Sequence, residues 1–172
     1  MGKRQWAQKE AELMMTYGFK ARFADALLMD TKLSTIRAPR KDGRLPLPRE
    51  KIRRYTGMRT KNCRWLGDRF CVRVTPITIT QFFVRLTPFK AGIVTLPILS
   101  GRIIRNARRL DWLAVRDGFK DWPEMIGFFS TVHSLPFHGW LIEWETYAET
   151  ADLINRTHDD PAAALSAFSA SP

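Results

Sequence analysis

The run RFCVRVTPITIT, residues 69–80, alternates apolar and polar side chains two by two. That period belongs to a strand with one buried face. Phe70, Val72 and Val74 fall on one side. Pro76, which has no amide hydrogen for a ladder, is expected to interrupt the strand before Ile77 and Ile79 resume the pattern. Toward the N-terminus, Lys51–Tyr55 reads as a further strand ahead of a Thr56-Gly57 turn, and toward the C-terminus Phe82–Leu86 and Gly92–Ile98 add apolar, β-branched or aromatic runs. Several short strands at near-regular spacing predict a small barrel or curled sheet.

Helical patterns flank this β-rich middle. In Arg22–Met29, Phe23, Ala26 and Leu27 share one face, and Asp30 and Thr31 end the segment. Leu110, Leu113 and Ala114 form a second stripe, closed by the Asp117-Gly118 turn signal. In DWPEMIGFF (121–129), Asp121 can cap with Glu124 at N3, Pro123 suits the first turn, and Trp122, Met125, Ile126 and Phe129 recur at helical spacing. PFHGWLIEWE (136–145) reads as a final strand, with Trp140, Ile142 and Trp144 opposite Leu141, Glu143 and Glu145. The tryptophans at 112, 122, 140 and 144 are expected in the core. Residues 38–50, rich in proline and charge, form a loop, because Pro46 and Pro48 forbid a helix. The expected fold is α+β: an extension over residues 1–16 with helical patterning in 3–15, a domain over 17–145, with Thr16–Lys20 extended across that boundary, and an acidic, then Ala/Ser-rich tail over 146–172.

At 172 residues the chain has the size of one domain with tails. Hydrophobic residues at 45% and aromatics at 12% supply a core and exclude wholesale disorder. No stretch approaches the ~20 apolar residues of a membrane helix, and the start MGKRQWAQKEAEL lacks the apolar core of a secretory signal, so a cytoplasmic protein without a membrane partner is expected. Cys63 and Cys71 are too few for a disulfide framework. His133 and His138 have no third ligand at a metal-binding spacing, and no Walker loop or GxGxxG is present, so neither metal nor cofactor is implied.

The formal charge is +11, which favours polyanionic partners. It is unevenly spread: residues 1–65 carry 17 basic and 6 acidic side chains, 66–109 carry 8 and 1, and 110–172 carry 3 and 10. Within Arg37–Trp65 there are 11 basic and 2 acidic residues, interleaved with Tyr55 and Trp65. Arg22, Arg37, Arg53, Arg54, Arg59, Lys61 and Arg64 are the candidate phosphate contacts and Tyr55 a base-stacking ring, which makes RNA, another single strand or a nucleotide the expected partner. The alternative is a solvated basic loop offset by the acidic C-terminal third, or a basic face that meets an acidic protein.

Catalytic signatures such as GxSxG and HExxH are absent. The compact group is Lys32-Leu-Ser-Thr35-Ile-Arg37. If Leu33–Arg37 is extended, Thr35 and Arg37 point to one side with Lys32 at the mouth, so ammonium, hydroxyl and guanidinium converge. Such a triad binds a phosphate or a base edge. It can also carry acyl chemistry if burial and Arg37 lower the Lys32 pKa by about three units.

The run RFADALLMDTKLSTIR (22–37) resembles the opening motif of the ASCH domain family of the PUA-like superfamily, in which a helix precedes Gly-x-Lys-x-x-(Thr or Glu)-x-Arg. GMRTKNCRWLGDRF (57–70), LAVRDGFKDWPEMIGFF (113–129) and HSLPFHGWLIEW (133–144) resemble later family segments in the same order. The resemblance implies a small PUA-like β-barrel decorated by short helices, with a cleft lined by Lys32, Thr35 and Arg37, and an RNA-, nucleic-acid- or nucleotide-binding role. A bacterial branch with a similar first motif hydrolyses the amide of acetylated cytidine nucleosides, and cleavage of single-stranded RNA has family precedent. Carried over by position, Lys32 is the base, Thr35 the nucleophile and Asp117 the group that positions Lys32 or shuttles its proton. Two positions depart from the pattern. Asp30 replaces the signature glycine and sets a carboxylate beside Lys32, and Asp117 replaces the branch's glutamate with a side chain one methylene shorter.

Overall fold

A computed structural model describes residues 14–87, 102–146 and 148. They form an α+β fold of one mixed seven-stranded sheet with three α-helices among the described residues. The strands are β1 (Met14–Phe19), β2 (Ser34–Arg37), β3 (Lys51–Thr56), β4 (Arg64–Ile79), β5 (Val84–Leu86), β6 (Arg102–Ile104) and β7 (Phe137–Trp144). The helices are α1 (Ala24–Leu28), entered through a 3-10 turn at Ala21–Phe23, α2 (Ala107–Arg116) and α3 (Trp122–Val132). None of these helices is long and apolar enough to cross a membrane.

The sheet runs β1-β3-β4-β5-β6, with β7 also on β4 and β2 on β7. β1 is parallel to β3, and every other pair is antiparallel. β4 organises the whole because successive stretches take different neighbours: Arg64–Phe70 pair with β3, and Cys71–Ile79 with β7. Among the described residues no ladder joins β1 or β2 to β6, so the sheet is open there.

Pro76 does not break β4, contrary to the expectation. An antiparallel residue directs its amide and carbonyl to the same neighbour. The Pro76 carbonyl accepts from Thr87 N–H (3.0 Å), so the missing donor faces the residue just past the end of the short β5 and leaves the β7 ladder intact. The expected face also changes partway along the strand. A register shift between Cys71 and Arg73 turns Cys71 inward and leaves Val72 about half exposed, and Phe70 is only half-buried.

The core joins Leu27, Ile52, Leu66, Ile79, Val84, Met125, Ile142 and Trp144 with the stripe Leu110, Leu113 and Ala114. Asp121 caps α3 as expected, its carboxylate accepting from Glu124 N–H at 2.9 Å. The Glu124 carboxylate reaches one residue beyond the cap, to Lys120 N–H (2.6 Å), and also accepts from Arg22 (2.7 Å). Of the four tryptophans expected inside, Trp144 is buried and Trp122 and Trp140 are half-buried. Trp112 stays exposed, with the Arg116 guanidinium 4.9 Å above its ring. Residues 14–16 belong to β1 and not to a helical extension. The rest of that extension, the Gly92–Ile98 run and nearly all of the tail lie outside the described residues.

Candidate functional site

The turn after α1 places the Lys-x-x-Thr-x-Arg group. Thr31 and Lys32 both donate their amides to the Ala26 carbonyl at 3.0 Å, which closes the helix and starts a new direction. Leu33 N–H then reaches the Arg116 carbonyl at the end of α2 (2.9 Å) and Leu33 C=O accepts from Trp144 (3.1 Å), before β2 pairs with β7. These bonds bring Lys32 against Asp117, 85 residues away in sequence. Gly118 makes the approach possible. Its φ is +86, and a Cβ there would lie 2.9 Å from Lys32 Cδ and 3.0 Å from a Phe23 ring carbon.

Lys32 is 1% exposed and its Nζ lies 3.1 Å from Asp117 Oδ1 while donating to the Asp117 backbone carbonyl. Burial lowers the Lys32 pKa, opposed by Asp117 and assisted by the positive charges of Arg37 and Arg22. Burial raises the Asp117 pKa, against the pull of Lys32, Arg37 and the Ile36 amide. Both directions move the pair from ammonium and carboxylate toward amine and acid. Phe23 and Phe19 flank the amine, with ring centroids 4.9 and 5.8 Å from Nζ.

Thr35 and Arg37 point to the same side of β2, as alternation predicts. Arg37 Nε donates to Thr35 Oγ1 (3.1 Å) and its Nη2 to the Gly18 carbonyl (2.8 Å), and its guanidinium lies 4.8 Å from the Phe19 centroid. Lys32, Thr35, Arg37 and Asp117 therefore all line one cavity of about 500 Å³. Phe19, Phe23, Phe119 and Phe128 supply apolar wall, and Lys20, Arg40 and His133 also border it. The cavity thus offers flat apolar faces, cationic donors and a carboxylate–hydroxyl pair within one enclosure. Sequence reasoning missed the contributions of β1, Arg40 and His133. The paired basic residues Lys20 and Arg40, which bracket the motif, were the available signal.

The Asp30 carboxylate turns away from Lys32, contrary to expectation. It accepts from Arg69 Nε (3.1 Å) and Nη2 (2.8 Å), and the residue adopts φ +52, a left-handed conformation that glycine takes without strain.

The remaining basic candidates sit elsewhere. Arg53, Tyr55, Arg59, Lys61 and Arg64 belong to the β3–β4 hairpin, and none lines the cavity. Arg53 pairs with Asp68 (2.9 Å), and Tyr55 stands opposite the exposed Trp65. Arg59, Lys61 and Arg64 are exposed on the hairpin. Arg22 is exposed, bonded to Glu124 and stacked over Phe23 at 4.8 Å. Arg54 is the correction: it is completely buried, donating Nη2 to the Leu66 carbonyl (3.0 Å) and Nε to the Gly67 carbonyl (3.3 Å), so no phosphate reaches it. Burial lowers its pKa to about 10. Alternation in KIRRYT already puts residue 54 on the face of Ile52.

Comparison with protein-family models, with curated proteins and with solved structures finds no match to this chain.

Proposed function

We propose that the chain is an ASCH-type module of the PUA-like superfamily, its open sheet the described part of a small barrel, and that its cavity recognises a nucleobase in RNA, in another single strand or in a free nucleotide. The observation that carries this reading is the convergence of Lys32, Thr35, Arg37 and Asp117 in one aromatic-walled cavity of about 500 Å³. That volume falls within the range of ordinary small-molecule sites. Phenylalanine rings cover the faces of a base, while the Lys32–Asp117 edge donates to its carbonyls and accepts from its amino or imino groups, and Arg37 donates to an oxygen elsewhere on the ligand. The hairpin with Arg59, Lys61 and Arg64 is a separate surface for a strand's backbone. Three phosphate contacts there give a slope of log affinity against log salt near −2. Titration with ribonucleosides and short single-stranded RNA at low salt tests the reading. Arg37→Ala is expected to weaken binding ~10-fold or more. Absence of binding by every nucleoside and by RNA sinks it.

A second reading, deacylation of acetylated cytidine, is favoured by one observation: burial moves Lys32 toward its amine in a cavity that Thr35 also lines. In that scheme the amine takes the Thr35 proton as the oxygen attacks the acetyl carbon. The proton passes to the departing cytosine amine, and water releases acetate from Thr35. Asp117 holds Lys32 in place. Incubation with N4-acetylcytidine is expected to release cytidine, and Lys32→Ala to abolish that release. Turnover that survives Lys32→Ala rejects the scheme.

A further inference from the structure

We infer that the ligand of this cavity carries a phosphate, and that Arg37, flanked by Lys20 and Arg40, is its seat. The inference rests on the nucleobase reading above and deepens it: the phosphate is held inside the same cavity as the base, and not only on the separate hairpin surface.

The charge lining the cavity is one-sided. Lys20, Lys32, Arg37 and Arg40 border it, and Asp117 is the one carboxylate among its described lining. Lys32 and Asp117 face each other at 3.1 Å and answer each other's charge in either protonation state. What remains is a cationic excess with no second carboxylate of the described wall to offset it.

Arg37 is the centre of that excess. Its bonds go to neutral acceptors, the Thr35 hydroxyl and the Gly18 carbonyl, and among the described residues no carboxylate lies within salt-bridge distance of it. The ring of Phe19 covers one side at 4.8 Å and Tyr17 lies at 5.6 Å, so the guanidinium is half removed from water. Asp117, whose charge reaches Arg37, is already in contact with Lys32, so the half-buried guanidinium shares its counter-charge; an arriving anion offsets the cost of its lost water while forming charge-assisted bonds to the planar fork. The fork is already oriented: Nε and Nη2 are tied down, so little rotamer freedom is lost when the ligand docks.

Lys20 and Arg40 supply a second cationic layer. Lys20 Nζ stands 4.5 Å from the Phe128 centroid and is exposed. Among the described residues the Arg40 guanidinium is bonded only to Asp42, on the surface, where both side chains are about half exposed (42% and 52%). The pair is bidentate, with Nε and Nη2 on the two Asp42 oxygens at 2.9 and 2.8 Å, but it is exposed to solvent and screened by salt, so a phosphate competes with Asp42 for the same fork. A neutral nucleoside would use the aromatic wall and the Lys32–Asp117 edge but bring no anion to Arg37, Lys20 or Arg40.

The test compares the four common ribonucleosides, their 5′-monophosphates and a pentanucleotide without terminal phosphates by calorimetric titration at low salt. The 5′-monophosphate of the preferred base is expected to bind about tenfold more tightly than its nucleoside, or the pentanucleotide to do so, and whichever gains more names the source of the phosphate. Arg37→Gln is expected to bring the ratio to about one. Arg40→Ala, at an exposed position that does not threaten folding, is expected to lower it about threefold. Equal affinities of nucleoside and phosphorylated forms overturn this inference and leave the nucleobase reading standing. A ratio unchanged in both variants overturns the assignment to Arg37. Binding by none of the probes overturns both readings together.

Discussion

The Lys32–Asp117 pair makes opposite predictions for its two halves. Both side chains are nearly inaccessible to solvent, 1% and 7% exposed, and lie 3.1 Å apart. Removing one partner of a buried pair strands the other, which costs about 3–5 kcal/mol. For a chain of this size that lowers Tm by roughly 6–20 °C. Lys32→Met keeps the aliphatic stem, and Asp117→Asn keeps an acceptor for the Ile36 amide, so the loss in each is mainly one of charge. In Lys32→Met, Asp117 loses the cation that held its pKa down, and burial raises it further. A carboxyl whose folded pKa exceeds its unfolded one contributes stability that is complete below its ordinary 3.8 and lost as pH rises through the folded value. In Asp117→Asn, Lys32 is depressed further. Its contribution is complete above its ordinary 10.5 and lost as pH falls through the folded value. Urea unfolding across about pH 4–10 should therefore give slopes of opposite sign, negative for Lys32→Met and positive for Asp117→Asn, each approaching ~1.4 kcal/mol per pH unit within its window. The double variant should be nearly flat and more stable at neutral pH than the additive expectation by ~2 kcal/mol. Slopes of the same sign, or two single losses below ~1 kcal/mol, would refute the account of a charge-coupled buried pair.

Gly118→Ala forces a side chain into φ +86 and sets its Cβ 2.9 Å from Lys32 Cδ. A loss of about 2–4 kcal/mol is expected from backbone strain and displaced packing, with weakened ligand binding. A variant that unfolds like the parent contradicts that. The buried Tyr17 hydroxyl has no hydrogen-bond partner among the described residues, and burial pushes its pKa up to about 12. Tyr17→Phe should therefore raise stability by up to ~1 kcal/mol, as read by denaturant midpoint; a clear loss would mean that the hydroxyl is satisfied. Arg54→Ala should cost about 3 kcal/mol through vacated volume and orphaned carbonyls, while Arg59→Ala and Lys61→Ala stay within about 0.5 kcal/mol. RNA retention on a filter should fall for the latter two, and a similar fall for an Arg54 variant that remains folded contradicts its interior placement.

Much of the local structure was legible because it depends on short-range periodicity. The stripe Leu110–Leu113–Ala114, the Asp121 cap and the extended Lys51–Tyr55 follow from spacings of a few residues, and each recurs in the fold. The convergence of Thr35 and Arg37 is also local, because residues two apart in a strand share a face. Errors arose where the partner strand decides. Val72 faces out because of a register shift against β7, and Pro76 is tolerated because its missing donor faces β5.

Charge was legible in amount and not in placement. The basic run from Arg37 to Trp65 is plain in the sequence, yet the fold divides it. Arg37 and Arg40 go to the cavity, Arg53, Arg59, Lys61 and Arg64 to a hairpin outside it, and Arg54 to the interior. Patterns within a few residues were enough for the α+β class, the Asp121 cap, the strand at Lys51–Tyr55 and the composition of one ligand-capable motif. That Lys32 meets Asp117 at the far end of α2, that Asp30 turns to Arg69 instead, and that Arg37 bonds to neutral partners follows from the assembled fold. Such pairings depend on which distant backbones share hydrogen bonds and on which side chains lose water together, and neither quantity is encoded in a local spacing.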